Sequence, residues 1–224
     1  MDRISVDKSG KAPHRSGYGA ARLISDLMNP LLFPPVMLAV TGWLLGLSTV
    51  AIGSLFGFAL LFYSFIPLAS TLYLYRSKRI RSLDLPDRKT RNPLYLCSIL
   101  SALAAVALSL AAGVLIPTGV LVITMVYLLN LIAGYLINLR WKMSMHAAGL
   151  ATSGAILFCF SLLPFYPFSL TAGILSLIIL LLLLPVTIWA RYRLSVHSLP
   201  ELFGGTAAGL LLTTIELVLL NNLW

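Results

Sequence analysis

The sequence predicts an all-α polytopic membrane helix bundle of about six to seven transmembrane helices, on three observations. Hydrophobic residues make up 59% of the 224 positions and charged residues only 10%. Several apolar runs continue without a charge for long enough to cross a hydrocarbon core of roughly 30 Å. The basic residues gather in alternate polar segments, as the loops of a membrane bundle require.

The elements follow in chain order. Residues 1–27 read as a polar, basic amino-terminal tail, too long for an ordinary signal peptide and without its cleavage site, so the tail is expected to stay attached. Residues 28–224 read as a single transmembrane helical domain with spans at 28–48, 51–75, 94–113, 117–138, 147–164, 168–189 and 202–221. The first span opens on Asn29-Pro30-Leu31-Leu32-Phe33-Pro34-Pro35, where the prolines break or kink a helix. That stretch is expected to be an interfacial or re-entrant approach to the span. Cys97 and Cys159 fall inside apolar runs and read as packing residues, not as a disulfide or metal pair.

Five Lys and Arg residues lie in the tail and seven lie between Arg76 and Arg91. Arg140 and Lys142, then Arg191 and Arg193, complete the sixteen, and all of them fall on one side of this topology. The positive-inside rule makes that side cytoplasmic, and the basic balance is explained without nucleic acid. The expected location is a bacterial inner membrane with the polar loops facing the cytoplasm. Trp141 and Trp189 flank two of these loops, as interfacial anchors do.

Parity constrains the chemistry. Two spans separate the basic loop at 76–93 from His146, and two more separate His146 from His197, so the three polar loops share one face. The third loop sets Arg191, His197 and Glu201 at fixed spacing, and the second carries Lys142-Met-Ser144-Met-His146. Histidines and basic residues in short polar loops at a membrane face point to phosphate chemistry.

The third loop resembles the last signature of the type 2 phosphatidic acid phosphatases, SRxxxxxHxxxD, with Ala190 for the Ser and Glu201 for the Asp. Ser144-Met-His146 resembles that family's PSGH signature, with Met143 and Met145 for the Pro and Gly. Asp87-Arg88-Lys89-Thr-Arg91-Asn-Pro93 stands in the place of its first signature, KxxxxxxRP, by order and charge. The resemblance runs from Asp87 to about Leu211 and agrees with the parity argument.

It implies a membrane phosphatase acting on a lipid phosphate or diphosphate, such as phosphatidate, phosphatidylglycerophosphate or a polyprenyl diphosphate. By resemblance, His197 attacks phosphorus and forms a phosphohistidine, and His146 protonates the departing oxygen. Glu201, one helical turn after His197, would fix its tautomer. Arg191 would fork onto phosphate, with Lys142, Ser144, Arg88, Lys89 and Arg91 around it. This scheme needs no cofactor or metal; its partners are the lipid substrate and the bilayer, and the oligomeric state stays open.

Each residue also has a structural reading. Ser198-Leu-Pro-Glu201 is a capping box with an early proline, and Ser144 can cap the fifth span. The charges at 76–93 can form a headgroup-contacting face. His14, in the tail, reads as unrelated. Gly205-Thr-Ala-Ala-Gly209 is a small-xxx-small pattern that lets the last span approach its neighbour closely. Glu216, deep in that span, costs roughly 2.5–3.5 kcal/mol to insert unless partnered, and the sequence suggests no role for it.

Two other functions fit less of the chain. A phosphatase-like scaffold with altered first and second signatures would bind anionic lipid without turnover. An intramembrane prenyltransferase would use Asp84 and Asp87 as an aspartate-rich loop, but the only later acids, Glu201 and Glu216, are isolated and form no second cluster.

Overall fold

A computed structural model describes residues 17–78, 80, 89–162 and 169–221. Among them there is no strand, and seven helical segments are long and apolar enough to cross a membrane. The chain is an all-α polytopic bundle, and those helices make it an integral membrane protein.

The first segment is two helices, α1 (Tyr18–Leu27) and α2 (Phe33–Leu44), joined by a short 3-10 turn over Pro30–Leu32. The prolines break the helix where the sequence places the break, and Asn29 caps the turn through Oδ1, which accepts from the Leu31 amide at 3.0 Å. Residues 18–27, read above as the end of a polar tail, are helical instead. The reason is an amphipathic face: Ala21 and Ser25, one turn apart, are buried while Arg22, Leu23 and Asp26 face out.

The remaining segments are α3 (Thr49–Arg76), α4 (Asn92–Ala112), α5 (Thr118–Asn138), α6 (Met145–Leu162), α7 (Leu170–Arg193) and α8 (Leu199–Leu220). Helices α3 and α7 each widen into a π turn, Leu60–Phe65 and Ile179–Leu183, just before Pro67 and Pro185. A proline removes its own N–H and crowds the carbonyl four residues back, so the turn before it opens. In α3 the Phe62 carbonyl accepts from Ser101 Oγ at 2.6 Å, which keeps it satisfied within the apolar layer.

Helix α6 is the axis of the bundle. It packs along α8 on one side and α7 on the other, and most of its residues are buried. The close α6–α8 crossing depends on the glycines singled out above: a Cβ at Gly205 would strike the Ser144 carbonyl, and one at Gly209 would strike the Ala148 carbonyl. Helix α1 lies against the end of α7 that carries Arg191. These contacts bring α1, the start of α4, the loop before α6 and the loop before α8 to one end of the bundle.

Candidate active site

The site is built where those four pieces meet. A cavity of about 450 Å³ opens there and runs down between α1, α3, α4, α5, α6 and α8, with Arg91, His146, Arg191 and His197 at its head. The volume falls within the range of about 300–1,000 Å³ typical of small-molecule sites.

His197 lies in the turn between α7 and α8 and is 5% exposed. Its Nδ1 is 2.9 Å from Glu201 Oε2, so Nε2 is the ring nitrogen left for the cavity. The same carboxylate oxygen accepts from the Ser198 amide at 3.1 Å. Both readings of Glu201 therefore hold together: it closes the capping box of α8 and holds the histidine ring with one oxygen.

Lys142 donates to the Val196 carbonyl at 2.8 Å and lies 3.7 Å from Glu201 Oε2. Its ammonium thus braces the loop that carries His197 and stands behind the histidine, off the cavity wall. Burial holds His197 below the ordinary imidazole range, and the positive charges of Arg191, Arg91 and Lys142 push the same way against the upward pull of Glu201. That direction favours the neutral ring, whose lone pair is then on Nε2.

Arg191 and Arg91 are 5% and 8% exposed, which separates them from a solvated, headgroup-contacting face. Arg191 Nη1 donates to Ser25 Oγ of α1 at 2.7 Å, and Arg91 Nη1 donates to the Met143 carbonyl at 3.3 Å. The Met143 that replaces the expected proline thus packs as a buried residue and offers its carbonyl to an arginine. Met145 takes the Tyr95 hydroxyl on its sulfur at 2.8 Å.

His146, in the first turn of α6, lies within electrostatic reach of Arg191, His197 and Arg91, and its ring pairs with the Ser25 backbone. A backbone hydrogen bond from Ser144 N to Glu201 O, at 3.0 Å, ties the two histidine loops directly.

Of the residues expected from the sequence, His146, His197, Glu201, Arg191 and Arg91 come together, with Lys142 one layer behind. Ser144 does not join them: it is fully buried, off the cavity wall, with its Oγ 3.4 Å from the Ala147 amide. Its role is the helix cap, the structural alternative raised above. Arg88 and the Lys89 side chain lie outside the described residues, as do His14, Asp84 and Asp87.

Sequence reasoning missed Ser25, which touches both Arg191 and His146. The only trace of it was the Ala21/Ser25 spacing in a segment read as tail. It also missed the depth of the cavity, whose wall includes Tyr63, Tyr127, Asn130 and Thr152. Glu216 receives a partner, since Asn130 Nδ2 donates to its Oε2 at 2.8 Å.

Comparison with protein-family models, curated proteins and solved structures gives no match to this chain.

The head of this cavity is cationic and rich in polar groups, an environment suited to an anion. It gathers two buried guanidinium groups, each with its Nη1 on a protein acceptor, a histidine whose Nδ1 is taken by Glu201, and a second histidine. The apolar depth below, lined by Leu94, Leu131 and Leu212, suits a hydrocarbon chain.

Proposed function

We propose that this protein is a membrane phosphatase that hydrolyses a lipid phosphate or diphosphate through a phosphohistidine, as the resemblance to the type 2 phosphatidic acid phosphatases implies. The observation that carries the reading is the pairing of His197 Nδ1 with Glu201 at 2.9 Å beside a cavity holding two buried arginines and a second histidine.

The Nε2 lone pair of His197 attacks phosphorus as the bond to the lipid oxygen breaks, and His146, protonated once the anionic substrate offsets the surrounding arginines, gives its proton to that oxygen. The lipid alcohol leaves and the phosphoryl group stays on nitrogen. Water then attacks phosphorus, His146 takes a proton from it, and the P–N bond breaks to release phosphate and neutral His197. Arg191 and Arg91 neutralise the oxygens throughout. Glu201 stabilises the positive charge that His197 gains during attack, which offsets the burial opposing that charge.

The charge census supports a site on the cytoplasmic face, and the location we propose is a bacterial inner membrane. Face-specific labelling of tags at each terminus tests this, and an outward-facing amino terminus overturns it.

The activity test is phosphate release by detergent-solubilised protein from phosphatidate, phosphatidylglycerophosphate and a polyprenyl diphosphate, in excess chelator, beside His197→Ala. Release that the substitution abolishes supports the reading. Full retention in the variant removes the mechanism, and tight binding without release from any lipid turns the protein into a binding scaffold.

A further inference from the structure

Below the head of the cavity, four polar residues on three membrane-spanning helices form one directed chain. Asn130 of α5 donates through Nδ2 to Glu216 Oε2 at 2.8 Å and to Thr213 Oγ1 at 3.0 Å, both on α8. Thr213, fully buried, donates in turn to Thr152 Oγ1 of α6 at 3.2 Å. Polar residues that only join helices would be spent between them. Here two of the four, Asn130 and Thr152, line the same cavity as Arg191 and His197.

The direction of the chain decides what those two can offer. The Asn130 amide nitrogen is held by Glu216 and Thr213 of α8 and by the Val126 carbonyl of its own helix at 3.1 Å, which leaves its Oδ1 as an acceptor for the cavity. The Thr152 oxygen is occupied by the proton of Thr213, which leaves its own hydroxyl proton as a donor. An acceptor and a donor on one wall match a group that can both give and take a hydrogen bond.

Depth fixes where that group must sit. Thr152 follows His146 by six residues on one helix, which is about 9 Å at the helical rise. A lipid phosphate held at the head therefore meets these groups with atoms several bonds removed from phosphorus. A prenyl chain would present hydrocarbon there and leave both polar groups unmatched. A hydroxyl or an amide set into an acyl-bearing lipid would satisfy them.

We infer that Asn130 and Thr152, oriented by Glu216 and Thr213, are specificity-determining residues that select lipid phosphates bearing a hydroxyl or amide about 9 Å from the phosphate, against plain prenyl phosphates. The inference rests on the lipid-phosphate reading and names its substrate class.

The test pairs binding with turnover on the full-length protein. The lipids are phosphatidate with unmodified chains, the same phosphatidate with one 3-hydroxyacyl chain, the same phosphatidate with one N-acylglycyl chain for an amide at that depth, and farnesyl phosphate. Binding is read by displacement of a fluorescent lipid phosphate, and turnover by phosphate release. The hydroxylated or the amide-bearing phosphatidate should exceed farnesyl phosphate by about tenfold or more in affinity, the scale of one matched hydrogen bond. Whichever of the two leads identifies hydroxyl or amide as the group read. Thr152→Val and Asn130→Leu should each reduce that ratio to within about threefold, whereas a general packing defect lowers all lipids together and leaves the ratio standing. Equal affinity for all four lipids, or a ratio unmoved by either substitution, overturns the inference. Selective binding without phosphate release from any lipid keeps the inference and removes the phosphatase reading. Release with unselective binding does the reverse.

Discussion

His197 and His146 line the same cavity, yet the protein holds them by different means. His197 sits in a turn, with a carboxylate on its Nδ1, a lysine behind that carboxylate and two arginines nearby. His146 sits in the first turn of the most buried helix and is held through the Ser25 backbone. A ring fixed by a charged partner keeps one tautomer and one free nitrogen, which suits a nucleophile. A ring fixed by the backbone has no dedicated counter-ion in its grip, and its proton can answer to the charge of whatever enters the cavity, which suits an acid that later becomes a base.

The sharpest break of this comparison is His197→Ala, which should lower phosphate release from any lipid substrate by at least about 10⁴-fold, since it removes the proposed nucleophile itself. His146→Ala should lower release from alkyl phosphates by about 10²–10⁴-fold, the usual reach of a general acid. The two variants part company on p-nitrophenyl phosphate, whose leaving group needs no proton. There His146→Ala should recover most of its lost rate in the phosphorylation step, measured as the nitrophenol burst, while His197→Ala stays inactive. Equal losses on both substrate types would erase the division of labour.

Glu201→Gln sharpens the same contrast from the other side, by changing what holds His197 while leaving His146 untouched. Loss of an outer partner that fixes a histidine ring lowers rates by about 10–100-fold. The pH dependence gives the sign. His197 must be neutral to attack, and burial with the surrounding cations already holds it below its ordinary range, so the acid limb of kcat/KM should lie below about pH 6.5. The Glu201 carboxylate is the one influence pulling upward. Its removal should therefore move the limb further toward acid, with substrate ionisation cancelling between variant and parent. A limb that moves upward, or does not move, would show that Glu201 serves α8 and not the histidine.

The parts of this site that were legible in the sequence are those that a single loop encodes. The spacing of Arg191, His197 and Glu201 places acid and histidine one helical turn apart, and the structure joins them. The spans were legible because hydrocarbon thickness imposes length and composition on every one of them. What escaped was set by side-chain reach and by distant pairs. Lys142 was expected at phosphate, but a long flexible stem can satisfy its ammonium on either side of a loop, and here it turns to the Val196 carbonyl. Glu216 looked like an isolated liability because its partner Asn130 lies 86 residues earlier, a pairing that no local pattern predicts. The α1 helix was hidden by composition, since an amphipathic helix with Arg22 and Asp26 on its outer face resembles a polar tail.

That helix supplies the smallest and most discriminating change. Ser25 serves both halves of the comparison at once, its hydroxyl accepting from Arg191 and its backbone pairing with His146. Ser25→Ala removes the hydroxyl and leaves the backbone, so the arginine loses its brace while the histidine keeps its own. A hydrogen bond of this kind contributes about 1 kcal/mol net, which corresponds to about fivefold. The loss should fall on KM for the lipid phosphate, because in the proposed mechanism Arg191 touches the phosphoryl oxygens before and during reaction, and the p-nitrophenyl and alkyl substrates should suffer alike, because the proposed proton donor is undisturbed. A kcat loss confined to alkyl substrates would mean that the hydroxyl positions His146, and the assignment of α1 as the brace of the phosphate-binding arginine would then fail.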